Sequence, residues 1–282
     1  MPELPEVETV RRGLKDFVLG KKIRVIKIFE QKCFVGEPVV GEVIDIRRFG
    51  KALVMDLDNG WSLMVHLRMT GQLIFDGEAR YAAGHPSENF TAKLPNKQTR
   101  VMLEFENGPL YFNDQRKFGF IKVLKTDEVM QDKFIAKLAK EPWVMEPKEF
   151  YEKLQRHGKA LVKAVILDQS VICGLGNIYA DEALFMAGVH PERRAGSLSF
   201  DEALRVLESA REVMQKSIDA GGSTMATYVK ADGTKGDYLE KFAQVFRREG
   251  QPCLRCGAEI VKIRVAGRGT HICPKCQKKG VK

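Results

Sequence analysis

Cys253-Leu254-Arg255-Cys256, followed after sixteen residues by Cys273-Pro274-Lys275-Cys276, decides how the end of this 282-residue chain folds. Two Cys-x-x-Cys pairs a hairpin's length apart supply four thiolates for one tetrahedral zinc ion. Four protein ligands close the site, so the metal would hold the fold and leave no position for a substrate. Disulfides are the competing reading of six cysteines. Against them, the N-terminus carries Glu3, Glu6 and Glu8 and no apolar core of an export signal, which predicts a reduced, cytoplasmic protein. Cys33 and Cys173 stand outside the pairs and read as small buried residues. Between the pairs, Gly267 and Gly269 flank Arg268, which predicts a hairpin tip with an outward guanidinium. A solvated turn arginine would read the same way.

Upstream of the cysteines, helical spacing of apolar residues recurs at 150–157, 160–167, 178–186 and 200–220, and Gly221-Gly222 ends the last segment. Gly174-Leu175-Gly176-Asn177 makes a turn between two of these helices, with Asn177 as the expected N-cap. Free backbone N–H groups and an Asn amide at such a turn suit a phosphate, and equally an ordinary helical hairpin. Residues 223–237 predict a polar, mobile loop. Residues 22–125 change to short β-branched and aromatic runs at 23–29, 43–46, 52–57, 62–66, 72–75, 101–105, 110–112 and 120–123. Asp58-Asn59-Gly60 and Glu106-Asn107-Gly108 supply turns between them. Such a succession predicts a β-sandwich or barrel, with a long loop over residues 77–97. A leading helix to about residue 17, with Pro5 in its first turn, precedes the strands.

The formal net charge is +9, which points to a polyanionic partner. No apolar run approaches the roughly 20 residues of a membrane span. At the N-terminus, Pro2 would carry a free secondary amine once Met1 is removed. An α-amino group has a pKa of about 7.7–8.0, so a sizeable fraction is unprotonated at neutral pH, far more than for a solvated lysine, and able to form a Schiff base. Glu3 is tethered beside it as an acid–base group. The plainer alternative makes Pro2 a processing-friendly second residue and the glutamates helix-start decoration. Lys51, after Arg47-Arg48-Phe49-Gly50, stands at a strand start, where a lysine points into water or moves a proton at a reacting centre. His66-Leu67-Arg68-Met69-Thr70-Gly71 and Asn113-Asp114-Gln115-Arg116-Lys117-Phe118-Gly119 each follow a strand end. Met69 and Phe118 read as core residues there, or as wedges when a base leaves a duplex.

Taken together, Pro2 to Thr9, Gly176-Asn177-Ile178-Tyr179-Ala180, Gly222-Ser223-Thr224 with Ala231-Asp232-Gly233, and Gly250-Gln251-Pro252-Cys253 through His271 resemble the formamidopyrimidine-DNA glycosylase family over essentially the whole chain. The resemblance implies an α+β multidomain chain. It would have an N-terminal catalytic β-sandwich with a leading helix over 1–131, a helical helix-two-turn-helix DNA-binding domain over 132–238, and a β-hairpin zinc ribbon over 239–282. It implies a bifunctional base-excision repair enzyme, monomeric and without a membrane partner, that removes oxidised purines from double-stranded DNA and cleaves the abasic strand by β,δ-elimination. Pro2 would be the nucleophile and Glu3 the proton donor for base release. Lys51 would donate a proton in β-elimination, and Arg268 would serve δ-elimination and phosphate gripping. Met69, Arg116 and Phe118 match residues that fill the gap of the everted base. Asn177 and Lys159 match phosphate contacts, and the loop at 223–238 would cover the lesion. One structural zinc ion, on Cys253, Cys256, Cys273 and Cys276, completes the set.

The chain departs from the family pattern in two places. Lys97-Gln98-Thr99-Arg100 replaces a histidine-bearing segment, so Gln98 is a DNA contact by position only. Lys117 stands for an arginine, keeping charge and losing the planar fork. Two rivals share many features. The sister group acting on oxidised pyrimidines, endonuclease VIII-like, has the same Pro2, Glu3 and ribbon, whereas Leu4 and the 116–118 segment favour purines. A catalytically silent binder of distorted DNA would have no need of Pro2, Glu3, Lys51 and Arg268 together.

Overall fold

Pro5 in the first turn and a cap in which the Glu6 carboxylate accepts the Glu3 N–H at 2.8 Å start the helix α1 (Leu4–Val18). Val7, Val10, Leu14 and Val18 recur on one face of α1 and are buried. The computed structural model describes residues 2–85, 90–222 and 238–279, and the loop expected at 223–237 lies outside them. The chain forms two compact units, residues 1–136 with 220–237 and residues 137–219 with 238–282.

In the first unit the strands are β1 (Ile23–Ile28), β2 (Phe34–Val35), β3 (Val43–Phe49), β4 (Ala52–Leu57), β5 (Trp61–His66), β6 (Gly71–Asp76), β7 (Arg80–Gly84), β8 (Thr99–Phe105), β9 (Gly108–Asp114) and β10 (Phe120–Lys125). They make two five-stranded sheets, in the orders β1-β8-β9-β6-β7 and β2-β10-β5-β4-β3. Leu53, Leu63 and Val65 from one sheet and Leu73, Leu103 and Phe112 from the other join the α1 side chains in a single core. Each such side chain, fully buried, contributes about 1.5–3 kcal/mol. The eight expected strands are all present. Two more were not legible: β2, only two residues long, and β7, which falls inside the loop expected at 77–97 and pairs antiparallel with β6. Its Ala82, Ala83 and Gly84 lack the branched side chains that signal a strand. β7 also fixes α1, because the Tyr81 hydroxyl sits beside the carbonyls of Thr9 and Val10 at 3.3 and 3.4 Å. A Cβ at residue 13 would lie 2.3 Å from that hydroxyl, which is why Gly13 stands there.

The second unit holds α2 (Pro147–Arg156), α3 (Val162–Ile166), α4 (Asn177–Met186), α5 (Phe200–Asp219), α6 (Tyr238–Phe242) and the antiparallel hairpin of β11 (Val261–Val265) and β12 (Arg268–Ile272). Ala203, Val206, Leu207, Ala210, Val213 and Met214 form the buried face of α5. Ala266 and Gly267 turn the hairpin with φ of 48° and 76°, the left-handed pair that a two-residue turn of the primed kind requires. No helix among the described residues is long and apolar enough to cross a membrane.

Glu8, on the first turns of α1, is buried and accepts from Arg11 at 2.7 Å, Arg12 at 2.8 Å and Arg48 at 2.9 Å. Burial alone would raise its pKa, but the three guanidinium hydrogen bonds outweigh it and hold the carboxyl down at about 2, against an ordinary 4.5. The unfolded chain therefore binds a proton on Glu8 between those values while the folded chain does not. Its contribution to stability is complete above pH 4.5 and is lost as pH falls towards about 2. The urea midpoint of the Glu8→Gln variant should be lower at pH 7 and fall less steeply than that of the parent between pH 5 and 3. Parallel pH curves would contradict this reading of Glu8.

Candidate active site

Pro2 and Glu3 are both buried at the start of α1. Lys51 lies in the two-residue turn joining β3 to β4, where Phe49 pairs with Ala52 and Gly50 takes φ of 55°. It is 7% exposed, so of the two readings open to a lysine at a strand start the water-facing one does not hold. The turn folds back because Arg48 donates to the Gly50 carbonyl at 3.2 Å while its Nε donates to Glu8 at 2.9 Å. Arg11 adds a bond to the Ile46 carbonyl at 3.3 Å. Glu8 and Arg48 thereby tie α1, which follows directly on Pro2 and Glu3, to the turn that carries Lys51. His66, paired with Ala52 across β4 and β5, borders the same turn. Burial, then the charges of Arg68 and Lys51, hold its pKa down at about 3. The ring is neutral at physiological pH, and its Nδ1 accepts the Arg68 N–H at 3.0 Å.

The turn after β5 and the loop after β9 meet at the surface. Met69 is 41% and Phe118 is 55% exposed, so neither is the core residue that apolarity alone predicts. Arg116 lies over the Phe118 ring at 4.9 Å and its Nη1 approaches Met69 Sδ at 3.8 Å. Arg116 therefore touches both of the other gap-filling candidates. Arg68 and Lys117 beside them have φ of 50° and 58°. Left-handed backbone at residues other than glycine costs on the order of 1–3 kcal/mol each. Lys117 shares its ammonium with Glu30. Gln98 is half-buried, and its carbonyl accepts the Asp114 N–H at 2.9 Å. Cys33 and Cys173 are buried thiols outside the ribbon, and burial pushes Cys33 up to about 11.

In the second unit the sulfurs of Cys253, Cys256, Cys273 and Cys276 all lie within 4.8 Å of one another. Separations of 3.9 Å (Cys253–Cys276) and 3.5 Å (Cys256–Cys273) bracket the roughly 3.8 Å between ligands of a tetrahedral zinc with Zn–S near 2.3 Å. The Arg255 and Cys276 N–H groups donate to Cys253 and Cys273 sulfur at 3.4 Å, which favours thiolates. The four residues fit one structural zinc ion. Arg268 is exposed at the hairpin tip, as its flanking glycines predict. Lys159 is exposed in the connection between α2 and α3. Asn177 is not the helix cap: Gly176 occupies that position, and the Asn177 amide donates to the Gly269 carbonyl at 3.0 Å.

That hairpin has a second anchor, absent from the sequence reading. Lys163 of α3 and Asp181 of α4 are fully buried and ion-paired at 2.6 Å. Lys163 also donates to Thr270 Oγ1 at 2.6 Å, and Asp181 accepts the His271 N–H at 2.9 Å. Next to it, Glu182 accepts the N–H groups of Gln244, Val245 and Phe246 at 2.8, 2.9 and 2.8 Å. Burial pushes this carboxyl above the usual range despite those three bonds. A signal existed for all three: one lysine inside Ala160-Leu161-Val162-Lys163-Ala164-Val165-Ile166-Leu167, and two carboxylates on an otherwise apolar helix. Removing one member of a buried pair typically costs about 3–5 kcal/mol. Lys163→Met should lower the unit's urea stability by that order, and adding Asp181→Leu should recover much of it. Additive losses in the double variant would show that the two charges do not depend on each other.

Three family models match the chain: the formamidopyrimidine-DNA glycosylase N-terminal domain over residues 1–121, the H2TH domain of the same family over 138–229, and a zinc finger found in FPG and IleRS over 250–279. The formamidopyrimidine-DNA glycosylase of Desulfitobacterium hafniense is 38% identical over 98% of this chain and 100% of its own length. That of an Exiguobacterium species is 40% identical over 99% and 100%. Among solved structures, the Lactococcus lactis enzyme bound non-covalently to DNA containing an AP site aligns with a TM-score of 0.84 and 34% identity, over 99% of this chain and 100% of that one. The MutM (FPG) protein of Thermus thermophilus aligns at 0.85 and 36%, with the same coverage. A buried proline at position 2, a four-thiolate ribbon and full-length similarity agree, and the chain belongs to the formamidopyrimidine-DNA glycosylase family.

Proposed function

We propose that this chain is a bifunctional DNA glycosylase and abasic-site lyase that removes 8-oxoguanine and formamidopyrimidines from duplex DNA. The carrying observation is that the first unit buries Pro2, Glu3 and Lys51, links α1 to the turn at Lys51 through Glu8 and Arg48, and exposes Met69, Arg116 and Phe118. A stacked purine shields C1′ of its sugar, so the nucleotide must be everted at a cost of a few kcal/mol. Inserted apolar and planar side chains offset that cost. Met69 and Phe118 serve as wedges and Arg116 faces the orphaned cytosine.

Pro2, freed by removal of Met1, bonds to C1′. The glycosidic bond breaks, the base leaves with the electron pair, and Glu3 supplies a proton to assist this step. The amine loses its proton, the C1′–O4′ bond of the sugar ring opens with a proton going to O4′, and the iminium so formed acidifies the C2′ hydrogen. Loss of that proton expels the 3′ phosphate, and a second elimination expels the 5′ phosphate. Lys51 is the proton donor of the first elimination. Arg268, which keeps its charge in proteins, serves the second by stabilising phosphate. Asn177, Lys159 and Lys117 are phosphate contacts, and Gln98 is one by position. When bound, zinc holds the β11–β12 hairpin in shape and takes no part in the chemistry. On this reading residues 1–131 are catalytic, 132–238 bind DNA and 239–282 form the ribbon, in a monomeric cytoplasmic enzyme.

Borohydride should trap the chain on a duplex with one 8-oxoguanine opposite cytosine, with the sugar on Pro2 nitrogen by mass spectrometry. A form that retains Met1 should bind DNA but release no base and give no adduct; normal turnover by that form would exclude the mechanism. Preference for thymine glycol would move the substrate to oxidised pyrimidines. Arg268→Ala should weaken binding and lower the salt slope by about one phosphate's worth, and an unchanged slope would remove that contact.

A further inference from the structure

One fully buried carboxylate of the first unit takes no part in the steps above. Asp114 ends β9 at the base of the loop that carries Arg116 and Phe118. Its Oδ1 accepts from the Thr70 hydroxyl and from the Arg116 N–H at 3.1 Å. Its Oδ2 accepts from the Phe118 N–H at 2.8 Å and the Gly119 N–H at 2.7 Å. Two donors per oxygen use most of the acceptor capacity of a carboxylate, and bonds to an ionised acceptor are about twice as strong as neutral ones. The main chain of Asp114 is fixed as well. Its N–H donates to Gln98, and its carbonyl accepts from Arg100 Nε at 2.7 Å.

These bonds reach both wedge segments. Thr70 adjoins Met69, and its Oγ1 also accepts the Arg116 N–H at 3.0 Å. Phe118 and Arg116 are bound through their own N–H groups. Each segment holds one residue in the left-handed region, Arg68 and Lys117. Such backbone persists where its surroundings over-determine it, and here the Asp114 carboxylate supplies that determination for the Lys117 loop. The wedge side chains are exposed and would otherwise sample many arrangements.

We propose that Asp114 is the positioning residue of the wedge. Its carboxylate sets Met69, Arg116 and Phe118 in their inserting arrangement before DNA binds, so that eversion of the lesion does not also have to order two loops. This rests on the reading that the chain everts an oxidised purine. It separates two activities that share one chemistry, because a preformed abasic site has no base to unstack.

Asp114→Asn keeps the size of the side chain but puts an NH2 group against N–H and O–H donors whichever way the amide turns. Single-turnover excision of 8-oxoguanine opposite cytosine should fall about ten- to a hundredfold, and nicking of a preformed abasic site by a much smaller factor. With 2-aminopurine next to the lesion, the rise in fluorescence on unstacking should be slower than with the parent. Thr70→Val, which removes one donor with little change of volume, should shift the excision-to-nicking ratio in the same direction and less far. If excision and nicking fall together in both variants, Asp114 only supports β9 and the proposal is overturned. Unchanged excision and unchanged fluorescence would overturn it too. Fluorescence that rises with the parent chain without base release would refute the excision chemistry alone, and the slower rise with Asp114→Asn would still support the wedge role.

Discussion

A single carboxylate, that of Glu8, fixes where the first residues of the chain lie relative to the β3–β4 turn. Chain ends are ordinarily the least ordered part of a domain, yet the nucleophile proposed at residue 2 must be held to within a fraction of an ångström. The structure meets this need with a short chain of bonds: the Glu6 carboxylate caps the start of α1, Glu8 binds Arg48, and Arg48 closes the turn at Gly50. The arginines keep Glu8 ionised across the physiological range, so the link is permanently charged. Without the carboxylate, Arg11 and Arg48 would be brought together with no counter-charge. Tyr81 completes the arrangement by fixing α1 from the side, at the one position where glycine leaves room.

The second unit meets a similar requirement by different means. Arg268 directly follows a two-residue hairpin turn, and an isolated hairpin is at best marginally stable. Four cysteine sulfurs fix one end of the hairpin. The strand β12 is fixed by Lys163, Asp181 and Asn177, which reach the Gly269 carbonyl, the Thr270 hydroxyl and the His271 N–H. Zinc accounts for the shape of the ribbon, and the buried ion pair accounts for where the ribbon sits on α3 and α4.

Much of this was legible in the sequence because the signals are local. Apolar spacing gave α1 to α5 but not the five-residue α6, and Asn-Gly turns with β-branched runs gave the eight longer strands. Cysteine spacing gave the ribbon. β7 was hidden because alanine and glycine carry no strand signal, and its place is set by pairing with β6 and by packing of Tyr81 on α1. The strand-start position left Lys51 open between a solvated and a proton-moving role; its burial was not legible, because the Glu8–Arg48 link that ties α1 to its turn joins residues forty apart in sequence. Asn177 was read as a cap because its residue type favours caps, and the preceding glycine took that role. Met69 and Phe118 show the reverse. Apolarity assigns them to the core, and only the family resemblance placed them on the surface, where the fold puts them.

The fully buried Lys163–Asp181 pair has a thermal consequence. Hydration of charged groups becomes less favourable on heating, so the penalty for withdrawing this ammonium and this carboxylate from solvent shrinks as the solution warms, while apolar burial per unit area levels off. The fastening of the Arg268 hairpin to α3 and α4 should therefore weaken proportionately less on heating than the aliphatic packing between the two β-sheets.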